Sequence, residues 1–257
     1  MPSLEERLDD EIRKIIKDSK ILKEAYDYLT NNKSIRALQE MANIVMVVRS
    51  KYNDHGVVHA KITTLNALKI VNILKETSIT REKIGTLEDA TLIVMVSSYL
   101  HDLGNAIHRH EHEVLSVVLA RPFVEEILEK IYEDEAKRQR IASVIYECIF
   151  SHMGHFGATS IEAGIVATAD GCDMEKGRAR VPYKLGKPGI HTFSALSIEK
   201  VEIKKGRKKP IRIEVTMNDA SGVFQIEEIL MRKVRGTNFQ DYVEVVGKIG
   251  KKEEVEY

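Results

Sequence analysis

Residues 86–105 read TLEDATLIVMVSSYLHDLGN, and the conformation of this stretch decides the fold. Thr86 and Asp89 stand at capping-box spacing, and the run that follows has too few polar side chains for a surface helix. The stretch therefore predicts a central, nearly fully buried helix, stopped by Gly104. Such a helix, ending in His101-Asp102, delivers an imidazole and a carboxylate to the interior of the body around it. Consecutive residues on a helix point about 100° apart, so this pair can straddle one ion only at a helix end, from where Asp102 can bridge to a second.

Working outward, apolar stripes at 3 and 4 spacing predict further helices. Ser3 and Glu6 form a capping box around Leu4, ahead of Leu8, Ile12, Ile15 and Ile16. Other stripes run from Ile35 to Val48, His59 to Leu74, Val114 to Leu119, Phe123 to Tyr132, Ala136 to Phe150 and Ser160 to Ala169. After Asp173 the segment MEKGRARVPYKLGKPG is basic, punctuated by Gly and Pro and without apolar period, which predicts a long loop. Beyond it, Ile211, Ile213, Val215 and Met217 alternate with Arg212, Glu214 and Thr216, the pattern of a half-buried strand. Leu196 to Ile203 predicts its partner, KKGRKKP the hairpin between them, Val223 to Val234 a helix and Tyr242 to Ile249 a last strand. The expected fold is mainly α, with a helical bundle domain over residues 1–190 and a small α+β domain of order β-β-α-β over residues 191–257.

The composition narrows the function classes. With 257 residues, 43% of them hydrophobic, the chain can bury a sizeable core. Its 39 basic side chains balance 39 acidic ones, so no bulk field draws it to nucleic acid or to a membrane. The KKGRKK run at 204–209 reads as a charged hairpin tip that discourages edge pairing. The N-terminal residues show neither a signal nor a transit pattern, which places the expected compartment in the cytoplasm. Cys148 and Cys172 supply neither a disulfide framework nor a thiolate metal site. No GxxxxGKS/T and no GxGxxG after a strand is present, which removes ordinary NTPase and dinucleotide readings.

The histidines carry the chemistry. Four of the nine, His101, His108, His110 and His112, fall within sixteen residues. His55-Gly-Val-Val-His59, His101-Asp102 and Asp170 each lie at or near the end of a predicted buried helix. A mixed imidazole and carboxylate set with open positions suits a hydrolytic divalent ion better than a closed structural one.

The order H...HD...D over roughly residues 35–175 resembles the HD-domain superfamily of metal-dependent phosphohydrolases. The resemblance implies that His59, His101, Asp102 and Asp170 hold a first ion, with His101 and Asp102 at the catalytic centre and Asp102 also orienting the attacking water. Some members hold a second ion. That implies His112, four residues before the small Ser116, together with His152 from SHMGH; His155 is the nearest competitor, and His108 and His110 are flanking residues. The cofactor is then one or two divalent ions, with Mn, Mg, Fe, Co, Ni and Zn all admitted by nitrogen and oxygen ligands.

Many members read HDIGK where this chain reads HDLGN, so Asn105 replaces a lysine and another cation must meet the leaving oxygen. Lys61, Arg109, Arg178 and Arg180 are the candidates, and His55, one turn before His59, reads as a ligand, a cap or, in preference, a support behind the ligands or a substrate contact. The implied activity is hydrolysis of a phosphate ester or anhydride of a nucleotide-like or other small phosphorylated substrate, by a monoesterase or a diesterase, with a homo-oligomer left open. Two other readings remain: an HD-related diiron oxygenase on a similar helical body, and a non-catalytic nucleotide-binding module whose C-terminal unit docks a partner.

Overall fold

The computed structural model describes residues 2–176, 190–250 and 253–257. Its helices are α1 (Leu4–Ile16), α2 (Lys20–Asn31), α3 (Lys33–Asn43), α4 (Val57–Leu74), the short α5 (Ser78–Arg81), α6 (Leu87–Leu100), α7 (His112–Ile131), α8 (Glu135–Ser151), α9 (Ile161–Gly171) and α10 (Ile190–Ser197). The strands are β1 (Ile198–Lys205), β2 (Ile211–Met217), β3 (Val243–Ile249) and β4 (Glu253–Glu256).

The expected capping boxes form at both places. Ser3 and Glu6 start α1, and Thr86 and Asp89 start α6. Helix α6 is the axis of the body, with every residue from Asp89 to Leu100 buried, and it packs on α4, α8, α9 and α2. Asp89 shows why a carboxylate is tolerated there. Its oxygens take hydrogen bonds from the Thr86 backbone, Thr86 Oγ1 and the Tyr132 hydroxyl, and Lys137 lies 3.0 Å away. Helix α4 is also a core helix. By length and composition Val57–Arg81 could cross a membrane, yet 56% of its most apolar window is buried inside the fold.

Several elements depart from the expected pattern. Helix α2 has no counterpart in the predicted stripes. The stripes 114–119 and 123–132 are one helix, α7, which continues through Pro122. Pro122 removes one backbone donor, and it sits on the exposed side of α7 where water can take over the freed carbonyl. Helix α10 occupies residues where strand was expected from Leu196, so β1 begins two residues later.

The C-terminal sheet has the order β1-β2-β3-β4. β1 and β2 are antiparallel, as are β3 and β4, while β2 and β3 run parallel. A parallel pair needs a crossover, and the helical run Val223–Gln225, Ile226–Met231 and Arg232–Gly236 supplies it. The order is thus β-β-α-β-β. The expected β-β-α-β lacked β4 because EEVE offers one apolar side chain and no alternation. The alternation in β2 holds, with Ile211, Ile213, Val215 and Met217 buried.

The sheet is not a separate appendage in packing terms. One continuous apolar cluster runs from Leu8 and Ile12 through α6 to Ile213, Val215, Leu230 and Val245. Contact between the halves is closest along α9. A Cβ placed on Gly164 would stand 2.5 Å from the Phe239 ring, so only glycine admits that ring. The basic hairpin is neutralised locally: the Glu244 carboxylate accepts from the Arg207 and Lys208 backbones, Lys204 pairs with Glu214, and Lys208 pairs with Glu256.

Candidate metal centre

Six side chains from five helices meet in the interior. His59 lies in the first turn of α4, His101 and Asp102 directly follow α6, and His112 opens α7. His152 follows α8, and Asp170 is in the last turn of α9. All six are buried, the most exposed being Asp102 and Asp170 at 7%.

Asp102 stands between two sets of ligand atoms. Its Oδ2 is 3.2 Å from His59 Nε2 and 3.4 Å from His101 Nε2, and Asp170 Oδ1 is 3.2 Å and 3.7 Å from the same two nitrogens. Its Oδ1 is 3.2 Å from His112 Nε2 and 3.7 Å from His152 Nε2. The two imidazole pairs are each separated by 3.1 Å between Nε2 atoms. The sets share a wall, since ligand atoms of His101, Asp102 and His152 also lie within 4.8 Å of one another.

The tautomers follow from the partners of the other ring nitrogens. His59 Nδ1–H donates to Asp173 Oδ2 at 2.5 Å, His101 Nδ1–H to Ser98 O at 2.8 Å, His112 Nδ1–H to Arg109 O at 3.1 Å and His152 Nδ1–H to Ile149 O at 2.6 Å. In each neutral ring Nε2 then carries a lone pair directed inward. Lone pairs that face one another at 3.1 Å, beside carboxylate oxygens, are a donor set suited to a cation between them. Ligands held about 2.1 Å from one ion come about 3.0–3.4 Å apart, close to the 3.1–3.7 Å seen here. The residues present therefore fit divalent ions, in a first set of His59, His101, Asp102 and Asp170 and a second of His112, His152 and Asp102.

The electrostatics agree with ligand duty. Burial works against a charge on Asp102, but its imidazole surroundings, His101 and His55 first and then His112 and His59, hold its carboxyl well below the usual range. Burial also opposes the charge on Asp170, where Lys233, His101 and His59 prevail and keep it ionised. For His152, burial first and then His101, His112 and Lys233 push the imidazole well below its usual range, so it is neutral and free to ligate.

The surrounding shell contains residues that sequence reasoning missed. Asp173 orients His59, and Glu113 lies 3.2 Å from His112 Nδ1. A carboxylate behind a ligating imidazole fixes its tautomer and raises its basicity. Lys233, from the C-terminal helical run, pairs with Asp170 Oδ2 and donates to His152 O at 3.2 Å. Asn105, noted only for replacing a lysine, donates from Nδ2 to Asp102 Oδ1 at 2.8 Å.

The remaining candidates divide. His55 is half-buried, with its ring 5.5 Å from that of His59, and Arg109 Nη1 lies 3.3 Å from His112 Nε2. Lys61 is turned elsewhere. It is buried against α1, 3.1 Å from Asp9 and 3.4 Å from Glu5, because two residues along a helix carry it about 200° round from His59. It is a packing contact in place of the expected substrate contact. His108 and His110 are exposed and stack on each other, and His155 reaches Glu113, at 3.5 Å. Arg178 and Arg180 lie outside the described residues.

Gly104 explains the spacing of His112 and Ser116. Its N–H donates to Ser116 Oγ at 2.8 Å, and a Cβ at Gly104 would stand 2.1 Å from His112 O and 2.6 Å from Ser116 N. Gly104→Ala must push away the first turn of α7 and His112 with it. The expected result is a loss of about 1–3 kcal/mol in urea unfolding, the usual cost of overpacking, together with loss of bound metal at the second set by elemental analysis.

The HD-domain family model matches residues 57–175, a span that contains all six ligand candidates. The uncharacterized protein MJ1020 of Methanocaldococcus jannaschii is 42% identical over 239 residues, covering 91% of this chain and 92% of that one. The chain belongs to the HD-domain family. No solved structure matches it. The buried His and Asp cluster within an HD domain fits a metal-dependent hydrolase.

Proposed function

We propose that this protein is a metal-dependent phosphohydrolase that cleaves a phosphate ester or anhydride of a nucleotide-like or other small phosphorylated substrate, with two divalent ions per chain. The observation that carries this reading is the division of Asp102, one oxygen toward His59 and His101 and the other toward His112 and His152. Divalent ions bound there supply a water deprotonated near neutral pH and neutralise charge on phosphoryl oxygens.

The chain's own groups do the rest. Asp102 fixes the spacing of the two sets, and Asn105 holds its Oδ1 in place. Asp173 and the backbone carbonyls of Ser98, Arg109 and Ile149 lock the four rings, so the ligand atoms are preorganised. Asp170 is kept ionised and oriented by Lys233. At the rim, Arg109 offers a bidentate fork to the phosphoryl group, and His55 is placed to contact the leaving side. The neutralised hairpin at 204–209 favours a small substrate over a nucleic acid. The reading keeps the cytoplasm as the compartment.

A phosphate-release screen over nucleotides and other small phosphate esters, with Mn, Mg, Fe, Co, Ni and Zn in turn, tests the proposal. The expected outcome is release with at least one metal, and its loss in His112→Ala. Full activity in His112→Ala overturns the two-ion form of the reading. Oxygen uptake by an iron-loaded protein with no phosphate release replaces it with an oxygenase, and nucleotide binding without release replaces it with a regulatory module.

A further inference from the structure

The environment of His112 Nε2 contains a contact that ion binding and substrate capture must share. Its neighbours are Asp102 Oδ1 at 3.2 Å, His152 Nε2 at 3.1 Å and Arg109 Nη1 at 3.3 Å. The first two are electron-pair donors. A guanidinium has only donors, so Arg109 gives a hydrogen bond to the Nε2 lone pair. An imidazole nitrogen has one lone pair, and it serves the guanidinium or an ion, never both. Arg109 itself is half-buried, in the segment between Gly104 and α7, with exposed His108 and His110 on either side, so its head has solvent to move into.

We propose that Arg109 is a two-position residue that couples the second ion to anion capture. In one position its guanidinium covers His112 Nε2. In the other an ion takes that lone pair, and the displaced fork turns to the rim of the site, where it binds the phosphoryl oxygens of the substrate. Coupling of this kind is reciprocal: filling the second set strengthens anion binding, and a bound anion strengthens the hold on the second ion. The inference rests on the two-ion phosphohydrolase reading and adds to it a binding order, metal before substrate.

Calorimetric titration of wild type, Arg109→Gln and Arg109→Lys with Mn²⁺, followed by titration of the Mn-saturated proteins with inorganic phosphate, tests it. In Arg109→Gln the second Mn²⁺ binds more tightly by about 3- to 10-fold, the scale of one net hydrogen bond, because a competitor and a repelling charge are both gone. The first Mn²⁺ is unchanged. Phosphate binding to the loaded variant weakens by about tenfold or more, as expected for loss of a charge-assisted fork, and Arg109→Lys restores only part of it. Second-ion affinity unchanged or weaker in Arg109→Gln overturns the competition, and unchanged phosphate affinity overturns the capture step. A wild type that takes up a single Mn²⁺ sinks the two-ion reading itself, an outcome distinct from either.

Discussion

Asp102→Ala loses bound metal at both sets and lowers kcat/KM by more than about 10³-fold, well beyond the 10- to 100-fold typical of a residue that acts from behind a ligand. The expectation follows from position. Asp102 supplies an oxygen to each pair of imidazoles, Oδ2 to one and Oδ1 to the other. Its removal leaves four inward lone pairs with Asp170 as the remaining carboxylate among the described ligand candidates, and deprives Asn105 Nδ2 of its acceptor. Asp102→Asn separates charge from shape. An amide presents one acceptor and one donor, so one set keeps an oxygen while the other faces an N–H, and the variant should retain about one ion where the wild type holds two. Elemental analysis after gel filtration, with circular dichroism to confirm folding, decides the matter. Wild-type metal content in Asp102→Ala would show that the carboxylate is a bystander.

The legibility of this centre in the sequence has a physical pattern. His59, His101, Asp102 and Asp170 stand at the ends of runs so apolar that the helices had to be buried, and a polar side chain at the end of a buried helix has few places to go. That Asp102 can reach a second ion is legible from its place at a helix end, whereas the division of its two oxygens between these imidazole pairs depends on where α7 and α8 end relative to α6. Lys61 could have been set aside from helix geometry alone, since a residue two places beyond His59 faces the opposite side. Asp173 was harder: it falls just past α9, where no periodicity fixes a direction. Lys233 could not be found at all, because MRKVRG contains three cations and only the packing of the C-terminal run against α9 turns one of them inward. In the same way, β4 and α10 were missed where charge or short length erased the apolar pattern, and α7 was split because Pro122 reads as a break until its exposed face is known.

Lys233→Met is the second large effect, and it falls on stability. Lys233 is 8% exposed, paired with Asp170 Oδ2, hydrogen-bonded to His152 O at 3.2 Å and 3.7 Å from Met153 Sδ. Methionine preserves the apolar stem, which lies close against Gly171, and removes only the charge. What remains is a buried carboxylate without its cation, a change that costs about 3–5 kcal/mol in comparable buried pairs. Urea unfolding at pH 7 in the presence of a chelator should show a loss of that size. The pH dependence gives an independent check on its origin. Asp170 is held below its ordinary value in the folded wild type, so its contribution is fully present above the unfolded-state pKa of about 3.9 and disappears as pH falls through the folded value. The gap between wild type and Lys233→Met should therefore be wide at neutral pH and close as the solution is acidified below about pH 4. A gap under about 1 kcal/mol at pH 7 would mean that Asp170 does not depend on Lys233 for its charge. The C-terminal unit would then touch the metal centre without holding it.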